Sequence, residues 1–508
     1  MSRKNSRDLF LLIKSLNKSE KGYITKMSFQ HQEKNTNFLR LFTAIDNQEV
    51  YNEAELLRKE KYIKQLPRLK IYLYERILSS LDSYYSKKNI NISLQKMLSR
   101  VYVLLPKGLY DQAIKQLYKA KELALRHEKF TILLEIYDLQ RMLLIEKQQI
   151  SAARKVQEEE ERTIGQIHNL SFYKSRYEEI SKLYTEIIYT RTEKEEEALM
   201  KIISHPYFSN IREAKSLQAK IIYYKTLCKY YAALDDEKNY LPNARAAMLL
   251  AEKNPHYISE NILQYIRLLN NFLASASENG LQSEFEQGMK KLQQIPALYD
   301  SAQKNIVRSI IHLRVTIRGY FHARNTLDYH KALEWANILE KQVGEHHALI
   351  SSTHQMIFFY QVAYINFIHG NFKKAAFWAN KVINSPLAAD TLFFHSFARI
   401  LTLVCYFEMG DIAALKPLLN ATERLLIKHD KMYSLESILI RFFRNYLSQK
   451  DKTTTPELFP SLDKDLQDNF NPMENKILEY FDVFAWQKSK AVGLPLLQVL
   501  GQGKKVPL

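Results

Sequence analysis

The feature that most constrains this chain is a phrase that recurs along it: a polar turn, a helix start carrying a small residue, then an amphipathic run. It reads "GNFKKAAFWANKVINSP" at 370–386 and "LDYHKALEWANILEKQ" at 327–342. The same start falls at Ala113, Ala153, Ala198, Ala244, Phe285, Ala332, Ala375 and Leu415, at separations of 40, 45, 46, 41, 47, 43 and 40 residues. A steady period of that length marks a chain built from one repeated helical unit, none of which can bury its apolar face alone. Where two helices cross at about 8–10 Å, a bulky side chain at the closest point would hold them apart, so alanine is favoured there. Phe285 and Leu415 imply wider crossings in their units or a misplaced register there.

The other helix of each unit carries a broad apolar stripe. In "KNIVRSIIHLRVTIRGYFHARN", Ile306, Ile310, Leu313, Ile317 and Phe321 follow helical spacing, with Val307, Ile311 and Val315 as a second row. Two rows mean two neighbours, which is what stacked hairpins require. Helices of about 20 residues would be about 30 Å long.

The turn, aromatic and alanine of Gly370, Phe372 and Ala375, of Gly108, Tyr110 and Ala113, and of Tyr329 and Ala332, with Ala120 and Val382 seven residues past their alanines and Pro386 after its helix, carry a family likeness. Over roughly residues 95–430 the chain resembles the tetratricopeptide-like superfamily, with units longer than the usual repeat of about 34 residues. The resemblance implies an all-α fold: a right-handed solenoid of about eight antiparallel helical hairpins with helical caps at both ends. It also implies a concave surface, lined mainly by first helices, that holds a protein segment. The expected division is an N-terminal helical module at 1–92, the repeats at 93–448, and a linker with a C-terminal capping helix and tail at 449–508.

Composition excludes several classes. Only 12 glycines occur, and no phosphate-loop, nucleophile-elbow or zinc-protease signature is present. No catalytic constellation can be assembled, so the expectation is a non-enzyme without cofactor or metal. Cys228 and Cys405 lie far apart in apolar helical patterns, which suits buried thiols in a reducing compartment. With no signal-peptide core and no run long enough to span a membrane, the expected location is cytoplasmic. The formal charge of +18 is uneven, residues 1–90 carrying +8 and residues 201–450 carrying +10. Such an excess draws acidic partners, nucleic acid included.

At the N-terminal end, Asn17 and Glu20 are spaced as a capping box, and Pro67 suits the first turn of a helix with Leu69, Leu73, Ile77 and Leu81 on one face. This module reads as a cap on the first hairpin or as a helix-turn-helix DNA reader, whose phosphate contacts would be Lys4, Arg7, Lys14, Lys18 and Lys21. At the other end "QKDKTTTPELFPSLDKD" reads as a linker. Asn471, Pro472 and Glu474 then open a capping helix that Gly493 and Pro495 stop.

Arg314, Arg318 and His322, spaced i, i+4, i+8 with Arg324 nearby, would put positive charge into the groove. They would otherwise be the solvated face of an amphipathic helix. The tyrosine pairs Tyr223 with Tyr224 and Tyr230 with Tyr231 read as core rather than base-stacking rings. His346, His347 and His354 lack metal-ligand spacing. The leading expectation is a scaffold that binds a protein or peptide partner, acidic in character, in its groove. The alternative is a nucleic-acid-associated regulator using the basic N-terminal module, with the repeats sensing a partner or peptide.

Overall fold

The computed structural model describes residues 7–30, 37–86, 89–298, 304–345, 350, 352–386, 391–449 and 455–502. Among these the chain is all-helical, without a strand. It divides into two compact units, residues 1–167 and 168–508.

The first unit contains α1 (Asp8–Ser15), α2 (Lys18–Gln30), α3 (Asn37–Asp46), α4 (Glu53–Lys59), α5 (Leu66–Tyr85), α6 (Ile90–Leu104), α7 (Tyr110–Arg126), α8 (Phe130–Glu146) and the start of α9 (Ile150–Ile187). The capping box forms as expected: Asn17 N–H donates to Glu20 at 2.7 Å and Glu20 N–H donates to Asn17 Oδ1 at 3.0 Å. Pro67 lies in the first turn of α5, and Leu73 and Ile77 are buried with Leu69 and Leu81 packed beside them.

The second unit continues with α10 (Glu193–Ile203), α11 (Leu217–Ala233), α12 (Glu237–Glu252), α13 (Pro255–Glu260), α14 (Ile262–Glu278), α15 (Gln282–Leu298), α16 (Lys304–Asn325), α17 (Tyr329–Glu345), α18 (Ser352–Ile368) and α19 (Phe372–Ile383). After these come α20 (Leu392–Glu408), α21 (Ile412–Lys428), α22 (Ser434–Ser448), α23 (Thr455–Asn469), α24 (Val483–Val492) and α25 (Leu496–Gln502). Helices adjacent in sequence pack together: α11 with α12, α14 with α15, α16 with α17, α18 with α19, α20 with α21.

One turn geometry recurs and accounts for the punctuation in the sequence. The first helix ends in a left-handed residue, and the next N–H reaches back five residues to close the turn. Leu281 N–H donates to Ala276 O at 2.8 Å, Asp328 to Ala323 at 2.8 Å, Asn371 to Asn366 at 2.9 Å and Asp411 to Tyr406 at 2.9 Å. Gly280, Gly370 and Gly410 occupy the left-handed position at no steric cost, whereas Leu327 takes it with φ 61°. The second helix starts directly afterwards, which places the repeating residue fourth in α15, α17, α19 and α21. Ala332, Ala375 and Leu415 are fully buried there and Phe285 nearly so.

The register expected at Ala198 is off by one. Ala198 is half-buried and Leu199 turns inward, because Thr192 caps α10 and starts it further upstream. The two apolar rows of α16 separate in part: Ile310, read with Leu313 and Ile317, packs instead beside Val307 and Ile311. Val307, Ile311 and Val315 join a cluster with α12 and α14, while Leu313 and Ile317 join one with α17 and α18.

The C-terminal part departs from the linker and continuous capping helix read from sequence. Residues 455–469 form α23. Asn471 does cap, accepting from Met473 N–H at 3.1 Å, but residues 472–479 form a 3₁₀ helix that stops before Asp482 starts α24 afresh. The break lets Tyr480 and Phe481 enter the core instead of following a helical face.

Candidate functional site

First helices of successive hairpins bring cations to one place in the second unit. α11 carries Lys225 and Lys229, α14 carries Arg267, α16 carries Arg314 and Arg318, and α18 carries His354. Bonds between these helices set their register. Lys225 Nζ donates to Gln264 Oε1 at 3.4 Å, with Arg267 one turn beyond Gln264. Ser277 of α14 meets His322 Nδ1 of α16 at 3.0 Å; two to three turns before that contact lie Arg267 and Arg314. Tyr320 OH donates to Gln361 Oε1 of α18 at 3.1 Å, and about two turns earlier lie Arg314 and His354. Lys225, Arg267, Arg314 and His354 therefore stand at one level, with Lys229 and Arg318 one turn further along.

The electrostatics agree with that placement. Burial, then Arg267 and Lys229, lowers Lys225 to about 8. Burial, then Arg318 and Arg267, lowers Arg314 to about 10. Burial, then Arg314 and Arg267, takes His354 down to about 4. Arg267 thus lies within electrostatic reach of cations on three other helices. Burial also lowers Arg318, against the pull of Glu278 and Tyr240, and its Nε is buried without a hydrogen-bond partner. Lys225 and Lys229 lie over the Tyr177 ring at 4.1 and 5.8 Å, and Lys229 over Tyr184 at 4.7 Å. Among the described residues, Lys225, Lys229, Arg267, Arg314 and Arg318 form no ion pair.

Arg191, Lys476 and Arg324 of this unit are bonded around the segment 471–482. Arg191 reaches Glu436 at 2.5 Å and Glu474 at 2.7 Å. Lys476 meets Asp235 at 2.8 Å, Glu479 at 3.0 Å and Glu278 at 3.7 Å. Arg324 Nη2 donates to Glu479 O at 2.6 Å, and Tyr360 OH to Tyr480 O at 2.9 Å. The Phe393 and Phe397 rings of α20 lie 4.9 and 5.7 Å from Tyr480.

The residues singled out from sequence divide accordingly. Arg314 and Arg318 lie half-buried in the cation cluster. His322 stacks on Phe285 at 4.1 Å and meets Ser277, so its ring is committed to packing. Arg324 binds Gln361 and the Glu479 carbonyl, fixing the inner segment instead of facing a ligand. Sequence reasoning missed Lys225, Lys229 and Arg267; the four-residue spacing of the two lysines in "YYKTLCKYY" was the available signal. Of the tyrosine pairs read as core, Tyr223 and Tyr230 are buried, while Tyr224 and Tyr231 are only half-buried.

In the first unit, Lys14 donates to the Asp46 carbonyl and Lys21 pairs with the Asp46 carboxylate at 2.6 Å. Arg7 and Lys18 are exposed. Lys4, His346 and His347 lie outside the described residues. No helix among the described residues is long and apolar enough to cross a membrane.

No family model matches this chain, and no curated protein does. Among solved structures it is similar to a signal transduction ATPase with numerous domains, a STAND protein with a tetratricopeptide repeat sensor, from Pyrococcus horikoshii. The identity is 16%, the match covers 84% of this chain and 54% of that one, and the TM-score is 0.30. This chain thus spans about half the length of that protein.

Proposed function

We propose that this chain is a non-catalytic, cytoplasmic helical-repeat scaffold, a right-handed solenoid of about eight hairpins that holds an acidic protein or peptide segment against its first helices. The observation that carries this reading is the cluster of Lys225, Lys229, Arg267, Arg314 and Arg318, which gathers like charges that form no ion pair among the described residues, with Glu278 acting on Arg318 from beyond pairing distance. Like charges brought together and partly desolvated weaken a fold. In the same unit Arg191 and Lys476 each meet carboxylates, so the pattern favours a partner that arrives from outside. A preformed concave face also spares the ordering cost on its own side of the complex.

The test is affinity capture from native lysate with nuclease-treated and untreated arms, comparing the wild type with Arg314→Glu/Arg318→Glu. The scaffold reading expects a protein that co-purifies in both arms and is lost with the variant while the circular dichroism of the protein is kept. Capture that vanishes with nuclease, or that the variant leaves intact, sinks it.

A further inference from the structure

The cation cluster has a shape that narrows its ligand. An extended acidic segment would be matched by cations strung out along a groove, at one carboxylate per about 3.3 Å of chain. Here they converge: Arg267 influences Lys225 on α11, Arg314 on α16 and His354 on α18, while Arg318 and Lys229 add charge one turn on. Three of the five cations are guanidiniums, whose planar forks bind tetrahedral oxyanions through paired hydrogen bonds. Arg318 Nε is a buried donor with nothing to bind. Tyr177 and Tyr184 fix the two lysines from below their ammonium groups. The inner segment 471–482 contributes Glu474, Glu479 and Asp482 to the same unit, yet Glu474 goes to Arg191, Glu479 to Lys476 and Asp482 accepts from the Ala485 N–H, so none of them pairs with the cluster.

We propose that this cluster is a binding site for a compact polyanion bearing two or more phosphoryl groups. A phosphate monoester carries about −1.5 to −2 at neutral pH, so two such groups offset most of the charge of five cations and three neutralise it, within a space where five carboxylates would need a folded peptide. The proposal rests on the reading of the first-helix face as a ligand site, and names the chemistry that face recognises. The phosphoryl groups have two sources, a free small anion or a phosphorylated segment of the protein partner, and the arms of the experiment separate them.

The full-length protein is titrated calorimetrically with inorganic tripolyphosphate, with a short Gly/Ser peptide carrying two adjacent phosphoserines, and with the same peptide carrying glutamates instead. Both phosphoryl probes should bind roughly tenfold tighter than the glutamate peptide or better. Arg267→Gln/Arg314→Gln should abolish the difference, and a steep loss with added salt should accompany binding of either probe. Tripolyphosphate binding more tightly than the phosphopeptide indicates the free anion, and the reverse order a partner segment. Glutamate binding equal to phosphoserine binding overturns the phosphoryl assignment while leaving the acidic-partner reading standing. Absence of tripolyphosphate binding on the order of millimolar, or binding unchanged in the double variant, also overturns it. Removing like charges should leave the melting temperature of the ligand-free variant equal or raised, and Lys225→Gln/Lys229→Gln on another helix gives a second readout should the first variant fold poorly.

Discussion

Replacing Arg191 by alanine removes the one cation that two buried carboxylates share. The side chains of Arg191, Glu436 and Glu474 are only 4%, 1% and 2% exposed, so water cannot take the place of the lost guanidinium. The guanidinium also lies over the Tyr433 ring at 3.8 Å. Removing one partner of such a group costs about 3–5 kcal/mol, because charge is left behind in a medium that solvates it poorly. Arg191→Met with Glu436→Gln and Glu474→Gln leaves no stranded charge and keeps an acceptor for the Ser434 N–H that now binds Glu474 at 3.0 Å. That triple variant should therefore lose less than about 2 kcal/mol. The assay is urea unfolding followed by tryptophan fluorescence, which reports the second unit alone because Trp335, Trp378 and Trp486 all lie in it. Hydrogen exchange over residues 472–482 should quicken in Arg191→Ala before the rest of the unit does. A loss under about 1 kcal/mol for the single variant, or a triple variant weaker than the single one, would refute the reasoning.

Three further outcomes follow from the turns, the helix crossings and the inner charges. A Cβ on Gly319 would stand 2.5 Å from the Trp335 ring, so Gly319→Ala should cost about 1–2 kcal/mol in the same urea assay, overpacking outweighing the gain of about 1 kcal/mol in helix propensity. Gln148 is exposed and left-handed at φ 57°, so Gln148→Gly should stabilise the first unit by about 0.5–1 kcal/mol, measured by circular dichroism melting of its transition. Burial first, opposed by Lys476 and aided by Glu237, raises Glu278 to about 8. Its folded form then holds a proton that the unfolded form has released. Stability should fall as pH rises from about 4.5 to about 8, and Glu278→Gln should flatten that slope in urea melts across the range.

How far the chain could be read in advance depends on which interactions are local. The turn at Gly370, the cap at Asn17 and the paired rows of α16 are each fixed within a few residues, so periodicity and turn chemistry reveal them. Gly319 gave no such sign, because its partner Trp335 belongs to the next helix and a lone glycine in a helical pattern says nothing about what faces it. The inner segment was hidden for a stronger form of the same reason. Its partners Arg191, Asp235, Glu278 and Arg324 are far away in sequence, while Asn471 and Pro472 alone look like the start of an ordinary helix. The candidate site was half legible: Arg314 and Arg318 advertise themselves by spacing, but the convergence of Arg267 and Lys225 on them comes from the packing of neighbouring first helices. His322, which shares that spacing, and Arg324 beside it are drawn off by Phe285 and Glu479.

The most direct test of the account is site-specific photocrosslinking inside cells. A photoreactive residue at Asn271, one turn past Arg267 on the first helix α14, is compared with one at Lys290, exposed on the second helix α15. The account predicts a crosslinked partner from position 271 and none from position 290, with the first product lost when Arg267→Glu and Arg314→Glu are added. Equal crosslinking from both positions, or a product from position 290 alone, would contradict it.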